Sequence, residues 1–473
     1  MERHGACVIP LIIAHVAKLD VMNYSELVEN QRRYFLSQAT KPVSFRIEQL
    51  NRLYHSIDNH RDKLFEALWL DLHKCKEEAF MTEYNIVMGE IKEHLRNIRR
   101  WVRDEVVSTP IYLKPSKSYV MKEPYGVALI IAPWNYPLNL MFTPLVGAIS
   151  SGCCAVLKPS PYSKHTSAVM QEIVDECFEP QFVAMVQGHR DVNEQLLEQR
   201  FDVIFYTGSP EVGKVVMEAA AKNLTPLTLE LGGKSPCVVD TGCNIEFAAR
   251  RIVWGKTINA GQTCVAPDYL LVNERVKDQL VEKMRECARR FYGDDMRKSK
   301  KYCRMINDNA YNRVSSYINE GHVLIGGATD AAERYIEFTV IDNVNPDAEV
   351  LKKEIFGPVL PLISFKDISE VVDYANVRPK PLAFYYFGDD DNAKKMLRLT
   401  SSGGACINDT ILHVANESLP FGGVNNSGMG KYHSKDSFLA FSNRKSVLKS
   451  SNRIDFKMKY PPYDKFDAIS RLM

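Results

Sequence analysis

The sequence predicts an α/β fold with two parallel sheets that are covered by helices on both faces. Short apolar runs alternate with amphipathic segments at intervals of roughly 20–30 residues, which is the pattern of successive βαβ units. This alternation starts again after residue 230. The chain has 473 residues, and at about 150 residues per domain this length predicts two or three domains.

The first half of the chain combines long helices with short buried strands. Apolar residues at near-helical spacing predict amphipathic helices across residues 43–72. Gly152 is expected to end one of the later helices, because glycine adopts the left-handed conformation that stops a helix. The predicted strands are residues 127–131, 155–157, 182–186 and 203–206, and the predicted helices beside them are residues 138–150, 164–177 and 211–221.

The second half repeats the alternation. Its predicted strands are residues 236–239, 269–272, 359–365, 382–387 and 405–407, and its predicted helices are residues 245–259, 274–291, 367–375 and 390–399. One earlier segment differs from both halves. Residues 108–122 alternate polar and apolar side chains around Pro110 and Pro115, so this segment is expected to form a protruding hairpin whose edge is available to another chain.

Composition excludes several classes of protein. Lys and Arg total 60 against 58 Asp and Glu, for a formal charge of +2, whereas a nucleic-acid-binding protein usually carries a marked basic excess. The uncharged stretch between Glu123 and Lys158 contains four prolines, so we expect no transmembrane segment there. The eleven cysteines have irregular spacing, which favours a reducing, cytoplasmic location. No histidine or cysteine spacing predicts a metal site.

Three residues are candidates for catalysis. Cys264 follows Gly261-Gln262-Thr263 directly before a predicted strand, where its sulfur is approachable; alternatively it is one more small buried side chain. Glu230 lies between two leucines before a glycine pair, and burial there raises a carboxyl pKa towards that of a useful base; alternatively it is a surface glutamate. Asn135 stands between two prolines after a strand, as an oxyanion donor or as part of a rigid turn.

Three further segments suit a nucleotide. The turn from Gly208 to Gly213 follows a strand and opens a helix, whose first N–H groups attract a pyrophosphate, although the G-x-G-x-x-G signature is absent. Lys158 ends another strand at the same sheet edge, where a ribose or phosphate fits, or it is an ordinary solvated lysine. Glu354 and Phe356 lie in a rigid turn that either holds a flat heterocycle or is simply a capped loop.

Taken in order, these motifs resemble the aldehyde dehydrogenase superfamily. The segments from Gln262 to Tyr269 and from Ser427 to His433 are similar to its class 3 branch, which acts on fatty and aromatic aldehydes. The resemblance extends from about Met22 to Val447 over seven motifs. It implies an NAD(P)-dependent oxidation of a medium- or long-chain aliphatic or an aromatic aldehyde to the carboxylate, and a homodimer.

The resemblance also implies a role for each candidate residue. Cys264 would form a thiohemiacetal and, after hydride transfer to the nicotinamide, a thioester. The Asn135 amide and the Cys264 N–H would bind the oxyanion. Glu230 would activate water for hydrolysis, with Glu354 as the competing base. The implied cofactor contacts are Lys158, Gly208, Ser209, Pro210, Glu211, Val212, Gly213, Leu231, Glu354 and Phe356.

The motifs and the restart of the alternation beyond residue 230 suggest domain limits. Residues 22–107 and 123–229 would form the cofactor-binding domain, and residues 230–424 the catalytic domain. Residues 108–122 and 425–473 would form a bridging hairpin and a C-terminal tail. Residues 1–21 would be an N-terminal extension, with a weak signal peptide as the alternative.

One departure from the family bears on the cofactor. Many members have a glutamate three residues after the lysine, where it holds the adenosine ribose hydroxyls, whereas this chain has Pro161. A carboxylate at that place would repel a 2′-phosphate, so its absence removes a barrier to NADP. We therefore predict that the enzyme uses both NAD and NADP. Two other functions stay open: a catalytically silent binding protein of the same fold, and a CoA-acylating dehydrogenase.

Overall fold

The computed structural model describes residues 23–463 and residue 470. The predicted extension, residues 1–21, lies outside the described residues, as do residues 464–469 and 471–473 of the predicted tail. Within the described part of the chain, no helix is both long enough and apolar enough to cross a membrane.

The strands of the described residues belong to four sheets. In chain order they are β1 (Glu105–Val107), β2 (Lys117–Pro124), β3 (Val127–Ile131), β4 (Cys154–Lys158), β5 (Val183–Met185), β6 (Val203–Gly208), β7 (Leu227–Leu231), β8 (Pro236–Val239), β9 (Tyr269–Asn273), β10 (His322–Ile325), β11 (Thr329–Asp330), β12 (Tyr335–Ile336), β13 (Thr339–Asp342), β14 (Val359–Phe365), β15 (Ala383–Phe387), β16 (Gly404–Ile407), β17 (Gly428–Met429) and β18 (Ser442–Lys449).

Helices cover the sheets and connect their strands. The α-helices are Tyr24–Leu36, Val43–Asn59, Arg61–Leu72, Lys76–Ala79, Asn85–Trp101, Pro137–Ser151, Lys164–Cys177, Arg190–Leu197, Pro210–Ala221, Ile245–Thr257, Lys277–Tyr292, Asp308–Ser316, Glu349–Lys352, Ile368–Asn376, Asp390–Leu399 and Lys435–Ala440. Phe80–Tyr84 is a single π-helical segment, and Ile258–Gly261 is a short 3₁₀ segment that follows Ile245–Thr257.

The first large sheet has six strands in the order β17-β7-β6-β3-β4-β5. All neighbours are parallel except β17, which pairs antiparallel with β7. Every residue of β3 and β4 is buried, as expected for central strands covered by helices on both faces. The uncharged stretch that precedes Lys158 therefore forms β3, the buried helix Pro137–Ser151 and most of β4. The helix is capped by Gly152, which has φ of +97°.

The second large sheet has seven strands in the order β10-β13-β14-β9-β8-β15-β16. Only the edge pair β10–β13 is antiparallel. The two sheets confirm the predicted α/β fold with parallel, Rossmann-like sheets. The chain passes from the first to the second through residues 232–235, so the end of β7 lies where the two sheets meet.

A third sheet is antiparallel and has the order β1-β2-β18. The segment predicted as a hairpin contributes most of β2, which pairs with β1 on one side and with β18 on the other. The β2–β18 pairing runs over eight residue pairs, from Pro124 with Ser442 to Lys117 with Lys449. On the outer edge, Val106 is 83% exposed and the nearby Ile111 is 80% exposed.

Candidate active site

Cys264 lies in a loop between the 3₁₀ segment Ile258–Gly261 and β9. Asn259 and Ala260 both have φ of +50°, and Gly261 follows with φ of +73°. A Cβ atom on Gly261 would lie 2.3 Å from the carbonyl oxygen of Gly357, so only glycine fits there. These consecutive left-handed residues turn the chain sharply and leave Cys264 partly exposed.

The side chain of Gln262 fixes this loop from below. It is fully buried, and its Nε2 donates to the carbonyl oxygens of Asn259 and Arg304, each at 3.0 Å. Its Oε1 accepts the backbone N–H of Ile306 at 3.0 Å. All three bonds join the buried Gln262 side chain to main-chain groups. They therefore hold the loop that carries Cys264 from the protein interior.

Burial raises the pKa of the Cys264 thiol, and the negative charges of Glu354 and Glu230 raise it further. These electrostatic contributions require that both carboxyl groups lie near the sulfur. The structure thus brings together a thiol and two carboxyl groups that are separated in sequence by 34 and 90 residues. In this state the thiol is protonated at neutral pH, and it needs a base to become a nucleophile.

Glu230 lies in β7 and is only 3% exposed. Neither of its carboxyl oxygens has a hydrogen-bond partner of good geometry within the described residues, although the backbone N–H of Gly423 lies near enough to lower the pKa in part. Burial raises the pKa of Glu230 well above its usual range, and the nearby charge of Lys431 offsets this in part. A Cβ atom on Gly422 would lie 2.6 Å from Oε1 of Glu230, so the glycine gives the carboxyl group its space. An unpaired, protonatable carboxyl group of this kind suits a general base.

Glu354 follows the helix Glu349–Lys352 and packs against Gly232, where a Cβ atom would lie 2.0 Å from Oε2 of Glu354. Burial, assisted by the negative charge of Asp268, raises the pKa of Glu354 to about 8. Asp268 also anchors the loop, because its Oδ2 accepts the backbone N–H of Ile355 at 2.9 Å. Lys234 bonds to Asp268 and donates to main-chain carbonyls of the same loop.

Asn135 is 2% exposed and connects the first sheet to the Cys264 loop. Its Nδ2 donates to the carbonyl oxygen of Gln262 at 3.1 Å. An amide nitrogen carries two hydrogens, so one hydrogen is left for another acceptor. Trp134 packs edge-on against Phe356 with ring centroids 5.5 Å apart, which joins the Asn135 turn to the Glu354 loop.

The turn from Gly208 to Gly213 opens the helix Pro210–Ala221. Ser209 caps this helix by accepting the Val212 N–H at 3.3 Å. A Cβ atom on Gly213 would lie 2.7 Å from Leu231, so the glycine lets the helix pack tightly against β7. Beside the turn, the buried hydroxyl group of Thr207 has no hydrogen-bond partner within the described residues.

Lys158 is at the end of β4 and is 1% exposed. Burial lowers the pKa of Lys158 to about 8. Its Nζ donates to the carbonyl oxygen of Pro159 at 2.7 Å, and an ammonium group has three hydrogens. The remaining donors of Lys158, the unpaired Thr207 hydroxyl and the helix N-terminus at Ser209 fit a ligand that carries hydroxyl and phosphate groups.

Sequence reasoning missed several buried polar residues around this site. Burial lowers the pKa of Lys256 to about 8, and the charges of Asp268 and Glu354 act on it in the opposite direction. Lys74, Glu78 and Glu83 are also buried. A charged side chain in a helical pattern normally faces solvent, so no sequence signal separated these residues from surface ones. Within residues 23–463, no cluster of metal-ligating side chains was found.

The end of a parallel sheet with a helix N-terminus beside it suits a nucleotide, and a thiol beside two carboxyl groups suits covalent catalysis. Residues 10–447 match the aldehyde dehydrogenase family. The chain belongs to this family and is an aldehyde-oxidising enzyme that uses NAD or NADP.

Similar proteins cover nearly the whole chain. The 4,4′-diaponeurosporen-aldehyde dehydrogenase of Staphylococcus aureus is 44% identical over 92% of this chain and 95% of its own length. Human aldehyde dehydrogenase family 3 member B1 is 44% identical over 91% and 93%. The dimeric NADP-preferring aldehyde dehydrogenase of Canis lupus familiaris is 43% identical over 93% and 97%. The substrate-bound structure of Staphylococcus aureus AldH superposes with a TM-score of 0.93 at 42% identity, covering 95% of this chain and 99% of that one.

Proposed function

We propose that Cys264 is the nucleophile of this aldehyde dehydrogenase. Its sulfur attacks the aldehyde carbon, and the thiol proton goes to a neighbouring ionised carboxylate, giving the oxyanion of a thiohemiacetal. The loss of hydride then leaves a thioester on Cys264; a bound nicotinamide cofactor supplies the hydride acceptor. The observation that carries this proposal is the partly exposed thiol with two raised-pKa carboxyl groups beside it.

We propose that the free hydrogen of Asn135 Nδ2 and the backbone N–H of Cys264 bind the oxygen of the aldehyde. The bond from Nδ2 to Gln262 sets the direction of the amide group, since Gln262 is two residues before Cys264. Donors that are fixed before the reaction stabilise the developing oxyanion without reorganisation.

The thioester is then hydrolysed by water, for which Glu230 is the proposed base. Its unpaired oxygens and its raised pKa support this assignment. Glu354 remains the competing base, because its pKa of about 8 is close to neutral pH. Burial makes the ionised form of either carboxyl group a stronger base, and the fraction in that form grows as the pH rises.

The proposed substrate is a medium- or long-chain aliphatic or an aromatic aldehyde. The hydroxyl group of Tyr136 bonds to Thr263, and that of Tyr385 donates to the carbonyl oxygen of Val265, so two aromatic side chains reach the two neighbours of Cys264. Such surroundings favour an apolar chain or ring over a charged one. A chain-length series of aldehydes, followed by the absorbance of the reduced cofactor, tests this proposal; a preference for charged aldehydes would overturn it.

The same assay separates the proposed function from its alternatives. A catalytically silent protein would give no turnover with any aldehyde of the series and either cofactor. A CoA-acylating enzyme would release a thioester, and only when CoA is present. The proposed hydrolytic enzyme releases the free carboxylate without CoA, which chromatography of the products identifies.

We propose that both NAD and NADP are used, with Lys158, Leu231, Phe356 and the turn from Gly208 to Gly213 as contacts. The donors left free at Lys158 and Thr207 support binding of ribose and phosphate oxygens. Pro161 carries no charge that would repel a 2′-phosphate. We expect kcat/KM for the two cofactors to differ by less than about 100-fold, or roughly 2.7 kcal/mol; a larger preference for NAD would refute dual use.

Pro161→Glu should reduce the use of NADP selectively. Position 161 is partly exposed and lies three residues after Lys158. A carboxylate there should repel a 2′-phosphate, so kcat/KM for NADP should fall by about tenfold or more, equivalent to about 1.4 kcal/mol. The use of NAD should change little. Pro161→Gln is the matched control, because it changes the backbone in the same way without adding charge. Equal losses in both variants would show that charge is not the cause.

We further propose a cytoplasmic homodimer. The ten cysteines of the described residues are all free, which is usual in a reducing compartment. The exposed edge of β1, with Val106 and Ile111, supports association through this edge, and the canine relative is named dimeric. Sedimentation equilibrium tests the dimer, and Val106→Lys should shift the mass towards the monomer.

A further inference from the structure

A buried group of charges lies directly behind the proposed oxyanion donor. Lys74 and Glu83 are fully buried, and Nζ of Lys74 lies 2.7 Å from Oε1 of Glu83. Glu78 is 7% exposed and lies one turn earlier than Glu83. We call Lys74, Glu78 and Glu83 the buried charge cluster. Desolvating such charges is costly unless they gain specific partners, so the partners of this cluster indicate what it does.

The Lys74–Glu83 pair holds both sides of the Asn135 turn. Nζ of Lys74 donates to the carbonyl oxygen of Asn135 at 3.0 Å. Oε2 of Glu83 accepts the backbone N–H of Asn139 at 3.0 Å. These contacts lie before and after the start of the helix Pro137–Ser151, so one ion pair fixes where the turn sits on the end of β3.

Glu78 holds the Cys264 loop. Its Oε1 accepts the backbone N–H of Asn259 at 2.8 Å, at the first of the left-handed residues that precede Gly261. Nδ2 of Asn259 in turn donates to the carbonyl oxygen of Asn135 at 2.8 Å. The carbonyl oxygen of Asn135 therefore accepts one bond from Lys74 and another from Asn259. Asn259 is in turn held by Glu78.

A second contact strengthens the connection. Nζ of Lys74 lies 4.2 Å from the centroid of the Tyr136 ring, within the range of a cation–π interaction. The hydroxyl group of Tyr136 bonds to Oγ1 of Thr263, next to Cys264. Lys74 therefore contacts Tyr136, and the hydroxyl group of Tyr136 reaches Thr263, the residue before Cys264.

We propose that Lys74 is a positioning residue for aldehyde oxidation, that Glu83 keeps it in place, and that Glu78 holds the facing Cys264 loop. Lys74 sets the location of the Asn135 amide relative to Cys264 through the Asn135 carbonyl and through Tyr136. The inference rests on the proposed role of Asn135 as oxyanion donor. A displacement of about 1 Å in such a group can cost about 10²-fold in rate, so the contribution of the cluster is measurable.

The first test is Lys74→Met, which keeps an unbranched apolar stem and removes the donor. We expect kcat to fall by about 100-fold, while KM for the aldehyde changes by less than about threefold, because the lost interaction acts in the transition state. This variant leaves Glu83 buried without its partner, which lowers the stability of the fold. Lys74→Met combined with Glu83→Gln removes both charges and keeps the amide acceptor for Asn139.

The double variant separates positioning from structural support. Its thermal midpoint should recover towards that of the wild type, whereas kcat should stay low, because the Asn135 carbonyl still lacks the ammonium donor. Recovery of kcat together with stability would overturn the inference. An unchanged kcat in the Lys74→Met variant would overturn it as well.

Alkylation of Cys264 by iodoacetamide supplies a second readout. This reaction needs an accessible thiol but no oxyanion donor, so its rate, measured by mass spectrometry of the Cys264 peptide, should stay within about threefold of wild type in the double variant. A parallel loss of alkylation and oxidation would indicate general damage to the site and overturn the inference.

Asn135→Ala distinguishes failure of the inference from failure of the proposed mechanism. Removing an oxyanion donor costs about 10²- to 10³-fold in kcat. If Asn135→Ala keeps its activity, the role of Asn135 is wrong, and the inference falls with it. If Asn135→Ala is slow but the double variant is as fast as wild type, only the positioning role of Lys74 is wrong.

Discussion

Cys264→Ser should abolish aldehyde oxidation. A serine hydroxyl is a far weaker nucleophile than a thiolate, and the buried carboxyl groups beside it do not lower its pKa. We expect kcat to fall by about 10⁴-fold or more, in line with the loss of a catalytic nucleophile. The measurement is the absorbance of the reduced cofactor with a medium-chain aldehyde, after protein folding and cofactor binding have been verified.

A matched control comes from another accessible thiol. Cys243 is also partly exposed, and burial raises its pKa to about 11, but it lies in the turn between β8 and the helix Ile245–Thr257. Cys243→Ser should therefore keep the wild-type rate. Turnover by Cys264→Ser at more than about a tenth of the wild-type rate would rule out the nucleophile assignment.

Glu230→Gln should stop the reaction after the thioester has formed. Glutamine fills the same space beside Gly422 but cannot accept a proton from water. We expect steady-state kcat to fall by about 10²- to 10⁴-fold, the usual contribution of a general base. If another group deprotonates the thiol, the first turnover still produces one equivalent of reduced cofactor per site, and intact-protein mass spectrometry detects the acyl group on Cys264.

The comparison with Glu354→Gln decides which carboxyl group is the main base. A carboxyl group with a raised pKa is protonated below that pKa, so a base of this kind gains activity as the pH rises. If Glu354 is the base, kcat rises through a pH of about 8, and Glu354→Gln removes this rise. If Glu230 is the base, kcat of the Glu354→Gln variant still increases with pH, since the pKa of Glu230 is also raised, and Glu230→Gln accumulates the thioester. Acyl-enzyme in Glu354→Gln alone would contradict the assignment of Glu230.

Elements with a strong apolar pattern could be predicted from the sequence. The strand predicted at residues 127–131 is β3, and the helix predicted at residues 138–150 is Pro137–Ser151 with its stop at Gly152. Both predictions are confirmed. These segments are buried on all sides, and for such segments an apolar composition is a direct sign of burial. The antiparallel edge strand β10 was not predicted, since it is only four residues long and half-buried.

The sequence was less informative about the Cys264 loop. A helix was predicted over residues 245–259, but the α-helix ends at Thr257, and Asn259 has a left-handed conformation. The reason is long-range: Asn259 gives its backbone N–H to Glu78 and its side-chain amide to Asn135. Bonds to residues more than 100 positions away leave no periodic trace. The burial of Lys74 and Glu83 likewise depends on contacts with Asn135 and Asn139, which lie 61 and 56 positions away.

Pairing of β2 with β18 also affects how the chain folds. Pro124 and Ser442 become neighbours only after more than 300 intervening residues have been placed, and Lys431, which acts on Glu230, comes from the same late part of the chain. Contacts of such high contact order form slowly, and synthesis proceeds from the N-terminus. A ribosome-bound chain that has emerged only as far as Cys264 therefore has the thiol without its complete surroundings, so catalytic competence is acquired at the end of folding.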